Sequence, residues 1–299
     1  MIIGLIGLGK MGNALASRLI KRGFHVVGFD YDAHACEQAR AIGVEIVDQI
    51  ITIPYKARII WLMVPAGKPV DDVLQLLIPA SQQEDIIIDG GNSNFNDTIE
   101  RARMLRTHHV RFLDCGTSGG IHGKEHGFSL MVGGDKKAYE KVLPFFEALA
   151  APNGVALVGP SGAGHYVKMV HNGIEYALMQ AYGEGFQLIK QGDFAHDTLD
   201  LATITRVWNN GAVIRSWLCE LSHDIFKHDQ ELTHVGGEIA ESGTGKWTVE
   251  EAHKHKVPVT LIEDALKIRA QSRATGGNYA TKVVALLRNA FGGHTYTKM

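Results

Sequence analysis

A single helical face between residues 164 and 176 carries side chains that suit acid–base chemistry. Positions i, i+3, i+4 and i+7 of a helix share a face, and here they are occupied by Lys168, His171, Asn172 and Glu175. An ordinary amphipathic helix places apolar residues on such a face. A base, two hydrogen-bonding groups and an acid instead need water or a polar ligand beside them. The spacing therefore predicts the wall of an active site.

The elements that must position this helix begin with an alternation of apolar runs and helical patterns. This alternation predicts a mainly parallel, doubly wound α/β sheet over the first 160 residues. Predicted strands cover residues 2–6, 25–29, 59–64, 85–89, 111–114 and 128–132. Helical patterns between them include residues 11–21, 70–78 and 137–148.

After residue 162 the pattern changes to long helical stretches with few strand signals. A continuous helix is predicted from residue 163 to about 191, which would span about 45 Å if unbroken. Further helices are predicted over residues 197–208, 212–226, 259–272 and 279–291. We therefore expect a second, all-α domain.

A glycine-rich turn follows the first predicted strand and opens a helix, with the sequence Gly7-Leu8-Gly9-Lys10-Met11-Gly12. In this context the first glycine permits the tight turn, the second lets backbone approach a pyrophosphate, and the third allows close helix packing. Leu8 and Met11 belong to the same turn and are expected beside the cofactor. The prediction is a Rossmann-like dinucleotide-binding domain over residues 1–160, followed by an all-α helical domain over residues 161–299.

Asp30 ends the second predicted strand, where a carboxylate binds ribose hydroxyls and repels a 2′-phosphate. With Tyr31 rather than arginine beside it, we expect NAD rather than NADP. A helix N-cap is the alternative role for Asp30, although Asp32 also suits that role. The loop after the strand at residues 59–64 is a candidate wall for the nicotinamide half through Val64, Pro65 and Ala66, although a plain loop would show the same pattern.

Composition excludes several classes of protein. The 299 residues are 45% hydrophobic and 21% charged, with a formal net charge of −2, so nothing favours nucleic acid or an anionic membrane. No apolar run is long enough to span a bilayer, and we expect a cytoplasmic protein. The three cysteines are far apart, which argues against a disulfide framework or a cysteine zinc site. No convincing metal cluster is visible.

Two further polar clusters follow predicted strands, at residues 89–93 and 114–120, where ligands bind in such sheets. Here the chain resembles 6-phosphogluconate dehydrogenases. The resemblance rests on Gly91-Asn92-Ser93, Ser118-Gly119-Gly120, the helix at 165–176, Gly243-Thr244-Gly245-Lys246-Trp247-Thr248, residues 257–262 and the tail at 288–294. It covers nearly the whole chain, and the length resembles the short, NAD-using branch.

The resemblance implies NAD-dependent oxidative decarboxylation of 6-phosphogluconate to ribulose 5-phosphate and CO2. Lys168 would be the general base and Glu175 the general acid. The family positions that hold the hydroxyls and the carboxylate of the sugar acid match Asn92, Ser118, Gly119, Gly120, His171 and Asn172, and Asn92 is also expected at the nicotinamide. The positions around the 6-phosphate match Tyr176, Thr244, Arg269, Arg288 and His294.

In the family a neighbouring subunit supplies the tail with the arginine and the histidine, so the resemblance implies a homodimer or higher homo-oligomer. Two departures stand out. Long forms carry a lysine where this chain has Ser242, which removes one partner of the phosphate. NADP-binding forms carry Asn-Arg where this chain has Asp30-Tyr31, and a lysine in place of Pro65, which fits a cofactor without a 2′-phosphate.

Three other interpretations compete with this one. A β-hydroxyacid dehydrogenase acting on a small non-phosphorylated acid shares the fold, the Ser-Gly-Gly turn and the lysine, but it needs neither Glu175 nor the tail at 288–294. A non-catalytic NAD sensor would not need the pair Lys168 and Glu175. The plainest alternative makes that pair an exposed, salt-bridged helix face.

Overall fold

The structure is a computed structural model that describes residues 2–196, 199–241 and 243–299. The chain divides into two compact units, of which the first ends at Met169 and the second begins at Val170. This division falls inside the long helix predicted from residue 163. The boundary near residue 160 between a cofactor domain and a substrate domain stays a prediction.

The first unit contains an eight-stranded sheet in the order β3-β2-β1-β4-β5-β6-β7-β8. All neighbouring strands are parallel except β6 and β7, which confirms the predicted doubly wound α/β architecture. The strands are β1 Ile2–Ile6, β2 His25–Phe29, β3 Glu45–Ile46, β4 Ile59–Leu62, β5 Ile86–Asp89, β6 Arg111–Ser118, β7 Phe128–Gly134 and β8 Ala150–Gly159.

Helices cover both faces of this sheet, which explains why β4 and residues 86–88 of β5 are apolar at successive positions. Along β5, Ile86 and Ile88 belong to one buried cluster and Ile87 to another. The helices are α1 Lys10–Lys21, α2 Ala33–Ala41, α3 Ile53–Lys56, α4 Lys68–Leu77, α5 Phe95–Thr107, α6 Gly123–His126 and α7 Lys136–Leu149, after which α8 Ala163–Gln191 begins.

The second unit is helical, as predicted. Beyond α8 it contains α9 Leu201–Asn209, α10 Trp217–His228, α11 Thr244–Lys254, α12 Thr260–Thr275 and α13 Tyr279–Gly292. Its core includes the buried side chains of Met179, Phe186, Leu221 and Leu287. The helix predicted over residues 163–191 is confirmed as α8.

Several predicted bounds were wrong for identifiable reasons. The helix expected from residue 212 begins at Trp217, because Ser216 is extended and its Oγ accepts the N–H of Cys219. The helix expected from residue 197 begins at Leu201, after the N-cap Asp200; residues 197 and 198 lie outside the described part of the chain. Strand β8 and helix α11 were not predicted.

The start of α8 is fixed by Asp114 of β6. The carboxylate is fully buried, and its two oxygens accept the N–H groups of Gly162 at 2.7 Å and His165 at 2.9 Å. Glycines let the helix approach: a Cβ on Gly164 would lie 2.3 Å from the Met131 carbonyl oxygen, and one on Gly116 would lie 2.4 Å from the Cβ of Lys168. The start of α8, at residues 163–169, therefore has one position on the sheet.

Replacing Asp114 with Asn should lower the free energy of unfolding by about 2–4 kcal/mol, because a charged acceptor of two buried hydrogen bonds is lost. Urea unfolding followed by tryptophan fluorescence measures the change. Asp200→Asn is the matched control, because Asp200 caps α9 at an exposed position and Asn caps a helix equally well. Equal stability changes in the two variants would contradict a special role for Asp114.

Candidate active site

The glycine-rich turn after β1 has the geometry of a dinucleotide-binding turn. Gly7 has a φ of +94°, and a Cβ there would lie 2.3 Å from the Met63 carbonyl oxygen. A Cβ on Gly12 would lie 1.9 Å from the Gly7 carbonyl oxygen, so only glycine lets α1 pack on the turn. No atom lies within 4 Å of a Cβ built on Gly9. The second glycine thus leaves space for a pyrophosphate, as its position in the motif predicts.

A cleft of about 810 Å³ opens beside this turn. Its lining includes most of the predicted cofactor residues, namely Gly7, Gly9, Met11, Gly12, Asp30, Tyr31, Val64 and Pro65. The side chain of Leu8 is buried in the core and does not line the cleft. Its backbone N–H donates a hydrogen bond to Asp30. Ala66 and Asn92 are not among the described lining residues, whereas Lys10, Asp72 and Gly91, which were not predicted, are.

Asp30 is held in place at both carboxylate oxygens. Oδ2 accepts the N–H of Leu8 at 2.6 Å, and Oδ1 accepts the N–H of Asp32 at 2.9 Å. The N-cap of α2 is Asp32, whose Oδ1 accepts the N–H of His34. Asp30 therefore links the glycine-rich turn to the end of β2 and is not needed as a helix cap.

The turn after β5 presents Asn92 in a left-handed conformation, with a φ of +55°. Its amide pairs with the backbone of Thr117 at the end of β6, since Oδ1 accepts the N–H at 2.9 Å and Nδ2 donates to the carbonyl at 3.1 Å. Buried Asp89 orders the same turn by accepting the Gly91 N–H and the Ser93 hydroxyl. The turns after β5 and β6 are thereby fixed to each other.

Lys168 and Ser118, which were predicted to converge, are in contact. The Nζ of Lys168 donates to the Oγ of Ser118 at 3.0 Å, and Lys168 is 6% exposed. The alternative of an exposed, salt-bridged helix face is therefore wrong for Lys168. Gly119 and Gly120, next to Ser118, have φ values of +124° and +53° and continue the chain into a short 3₁₀ turn.

Sequence reasoning missed the buried groups that hold this arrangement. The ring of His165 lies between the Thr98 hydroxyl, 2.8 Å from Nδ1, and the Asp89 carbonyl oxygen, 3.0 Å from Nε2. These partners come from sequence-distant elements, so no local pattern could identify them. Burial raises the pKa of the Cys115 thiol well above its usual range, which leaves it a neutral core residue.

Within the second unit, α8 carries the other three residues of the predicted face. His171 Nδ1 lies 3.1 Å from Asn172 Oδ1 and 3.7 Å from Glu175 Oε2. Asn172 Nδ2 donates to the hydroxyl of Thr244 at 3.3 Å, at the first residue of α11. The acid, the amide and the imidazole therefore lie together, with Thr244 beside them.

A buried cationic cluster lies in the same unit. Arg269 is 1% exposed, and its guanidinium carbon lies 3.3 Å from the centre of the Tyr176 ring. Its Nη1 and Nη2 have no hydrogen-bond partner among the described residues. Burial lowers the pKa of Arg269 to about 10, with a smaller contribution in the same direction from the charge of Arg288. Burial also lowers the pKa of Arg288.

The charge of Glu175 acts on both arginines. The two Arg269 nitrogens still lack acceptors among the described residues, and a dianionic ligand would supply them. Arg288 joins this cluster within a single chain; a contribution of the neighbouring subunit's tail stays a prediction. His294 follows α13, with its ring edge-on to Phe291 at 6.2 Å between centroids. Ser242, the predicted departure at the phosphate site, lies outside the described residues.

The described residues include no group of three or more His, Cys, Asp or Glu side chains arranged to hold a metal ion. Within that same part of the chain, no helix combines the length and apolar character that crossing a bilayer requires.

Comparisons with known proteins agree with these features. A family model described as the NAD binding domain of 6-phosphogluconate dehydrogenase matches residues 2–161, and one described as the C-terminal domain of that enzyme matches residues 164–285. A protein of Haloferax volcanii named NAD(+)-dependent, decarboxylating 6-phosphogluconate dehydrogenase is 46% identical over 299 residues, which cover 98% of each chain.

Two solved structures share the fold. The 6-phosphogluconate dehydrogenase of Plasmodium falciparum is 31% identical, with a TM-score of 0.84 over 91% of this chain and 62% of that one. The 3-hydroxyisobutyrate dehydrogenase of Mycobacterium tuberculosis is 22% identical, with a TM-score of 0.77 over 96% of this chain and 99% of the other, a likeness of fold alone. From the two matching domains and the identity over almost its full length, the chain belongs to the 6-phosphogluconate dehydrogenase family of oxidoreductases.

Proposed function

We propose that the protein catalyses the NAD-dependent oxidative decarboxylation of 6-phospho-D-gluconate to D-ribulose 5-phosphate and CO2. The observation that carries this proposal is the buried guanidinium of Arg269 beside Arg288, with two nitrogens that lack acceptors among the described residues. A phosphorylated sugar acid has a phosphate remote from the reacting end that supplies such acceptors, and a small hydroxy acid has no such second anionic group.

The first unit contains the proposed site of the cofactor. Gly7, Gly9 and Gly12 would receive the pyrophosphate, and Asp30 the hydroxyls of the adenosine ribose. When bound, NAD supplies the acceptor for the hydride that leaves C3 of the substrate. Because Asp30 is a fixed anion in the cleft, a 2′-phosphate would be repelled, which supports NAD over NADP.

Lys168 is the proposed general base, taking the proton of the C3 hydroxyl as the hydride leaves. Its burial and its hydrogen bond to Ser118 support this role, because they hold the amine in one place and limit its contact with water. The resulting 3-keto acid loses CO2 without a metal. During that step, protonated Lys168 donates a hydrogen bond to the C3 oxygen as negative charge develops there.

Glu175 is the proposed general acid, protonating C1 of the enediol that remains. Its carboxylate lies near His171, and its negative charge acts on the pKa of Arg288.

His171 and Asn172 would hold substrate hydroxyls. Asn92, Ser118, Gly119 and Gly120 would hold the carboxylate end. Tyr176, Thr244, Arg269, Arg288 and His294 would surround the phosphate. We further propose a homo-oligomer in which a neighbour's tail completes the site.

Purified protein with NAD and 6-phosphogluconate should form NADH and CO2 in equal amounts. Gluconate and 3-hydroxyisobutyrate should react with kcat/KM lower by on the order of 10² or more, because the buried guanidinium would be left without its anion. NADP should be similarly disfavoured, since like charges placed together cost several kcal/mol. Steady-state assays of both cofactors with all three acids measure these ratios.

A matched pair of variants checks the cofactor assignment. Asp30→Asn should lower the ratio of kcat/KM with NAD to kcat/KM with NADP. Asp32→Asn should leave this ratio unchanged, because Asn also caps a helix. Turnover of 3-hydroxyisobutyrate without turnover of 6-phosphogluconate would replace this proposal with the small-acid dehydrogenase.

Variants of α8 should separate the two proton transfers. Lys168→Met should lose both oxidation and decarboxylation, by on the order of 10²–10⁴-fold for a lost acid–base group. Glu175→Gln should retain part of its NADH formation but form ribulose 5-phosphate slowly. In D2O its product should carry deuterium at C1 without stereochemical preference, as measured by NMR.

Glu184→Gln serves as the control, because this residue of α8 is exposed and its carboxylate accepts a hydrogen bond from Gln180. It should behave like the wild type. Glu175→Gln with wild-type rates and stereospecific deuteration would show that Glu175 is not the acid.

Arg269→Met should raise the KM for 6-phosphogluconate by on the order of 10–100-fold, because a charge-assisted hydrogen-bond donor is lost. Binding of NAD should not change. Inorganic phosphate should raise the Tm of the wild type by mass action, but not that of the variant. Lys267→Met is the control, since Lys267 lies exposed on α12 and pairs with Asp264. Equal losses of NAD and substrate binding in Arg269→Met would contradict a phosphate role.

A further inference from the structure

Arg101 is a buried cation of the first unit that the proposed chemistry does not use. It lies on α5 and is 4% exposed. Its Nε donates to Asp71 Oδ1 at 2.7 Å, and its Nη2 donates to the Gly67 carbonyl oxygen at 3.0 Å. Its Nη1 lies 3.8 Å from Asp89 Oδ2 and has no hydrogen-bond partner among the described residues. One side chain thus meets three separate segments.

Two of these segments form the end of the cofactor cleft. Gly67 closes the loop after β4, and earlier in that loop Met63, Val64 and Pro65 line the cleft. Asp89 orders the turn after β5 that presents Asn92. The two segments touch, because a Cβ on Gly91 would lie 2.5 Å from the Val64 carbonyl oxygen. Arg101 therefore sits behind the contact between the cleft wall and the Asn92 turn.

We propose that Arg101 is a positioning residue that fixes the spacing between the cleft wall at residues 63–67 and the Asn92 turn. It thereby sets the alignment of the nicotinamide ring with the carbon that is oxidised. This inference rests on the proposed function. Arginine suits the role because its planar fork presents donors at fixed angles to several acceptors, which a lysine cannot do.

The effect of Arg101 extends to the proposed base through fixed contacts. Asn92 pairs with the backbone of Thr117, the next residue is Ser118, and Ser118 accepts a hydrogen bond from Lys168. Transfer of a hydride depends steeply on distance and angle, and a misplacement of about 1 Å can cost on the order of 10²-fold in rate. A loosened wall should therefore slow the reaction more than it weakens binding, since the adenosine half is held elsewhere.

The test compares full-length Arg101→Met and Arg101→Lys with the wild type. We expect kcat of Arg101→Met to fall by on the order of 10–10²-fold while the Kd of NAD changes little. The primary isotope effect with 3-deuterated 6-phosphogluconate should increase, because hydride transfer becomes more rate-limiting. Arg101→Lys should recover part of kcat. Asp71→Asn, which keeps the guanidinium, should show a smaller change of the same kind.

Arg103→Met is the matched control, because Arg103 lies exposed on the same helix and pairs with Glu100. A cavity of about 540 Å³ beside Gly67 and Arg101 gives small cations access, so guanidinium ion should partly restore kcat of Arg101→Ala. A kcat and isotope effect like those of the wild type in Arg101→Met would overturn the proposal. So would losses of kcat and NAD binding in equal measure without rescue by Lys or guanidinium.

Hydrogen exchange gives a measure that does not depend on catalysis. Backbone amides of residues 63, 64, 66, 67 and 90–93 should exchange faster in Arg101→Met than in Arg103→Met, because both segments lose their common anchor. Unchanged exchange in both segments would overturn the positioning role even if the proposed function holds. If the wild type proves inactive on 6-phosphogluconate but these amides still exchange faster in Arg101→Met, the proposed function is rejected and the anchoring role of Arg101 is retained.

Discussion

The position of the start of helix α8, at residues 163–169, depends on one buried carboxylate. Asp114 accepts two backbone N–H groups at the start of the helix, where the helix dipole also favours a negative charge. Glycines at 116, 133 and 164 allow the backbones of helix and sheet to touch. One turn after Gly164, Lys168 reaches Ser118 without a choice of register. Residues 163–168 belong to the first turns of one helix, so the anchoring of its start also fixes the lysine.

Features encoded by local patterns could be predicted from the sequence. Helical spacing identified the face of Lys168 and Glu175, and strand alternation identified the doubly wound sheet, because both depend on short-range periodicity. Strand β8 escaped prediction because it contains Pro152, Asn153 and Gly154, and its pairing with β7 is irregular. The segment is a strand because it pairs with β7, and its own composition does not favour a strand.

The supporting groups of the site were harder to predict for a related reason. His165 meets Asp89 across 76 residues of chain and Thr98 across 67. Arg101 meets Gly67 across 34. Such contacts follow from the fold and leave no periodic signal in a single sequence. The resemblance to a family pointed to residues that are proposed to bind ligands, such as Arg269. It did not point to the residues that keep those side chains in position.

The two most deeply buried arginines of the proposed machinery differ in their surroundings. Arg101 is surrounded by Asp71, Asp89, Asp97 and a carbonyl oxygen, so its charge is balanced within the fold. Arg269 has an aromatic face on one side and two nitrogens without acceptors among the described residues. A balanced guanidinium stabilises structure, whereas an unbalanced one favours an incoming anion. Burial alone does not distinguish them; their partners do.

The double attachment of Asp30 bears on the proposed preference for NAD over NADP. An exposed carboxylate on a free side chain can rotate away from an approaching anion, and its repulsion is then softened by water. With Leu8 and Asp32 each donating to one of its oxygens, Asp30 gives up both hydrogen bonds if it turns. The proposed discrimination against NADP would thus depend on the fixed position of Asp30 as much as on the sign of its charge. A chain that acquired a cation nearby, yet kept these two hydrogen bonds, would still meet a 2′-phosphate with an immovable negative group.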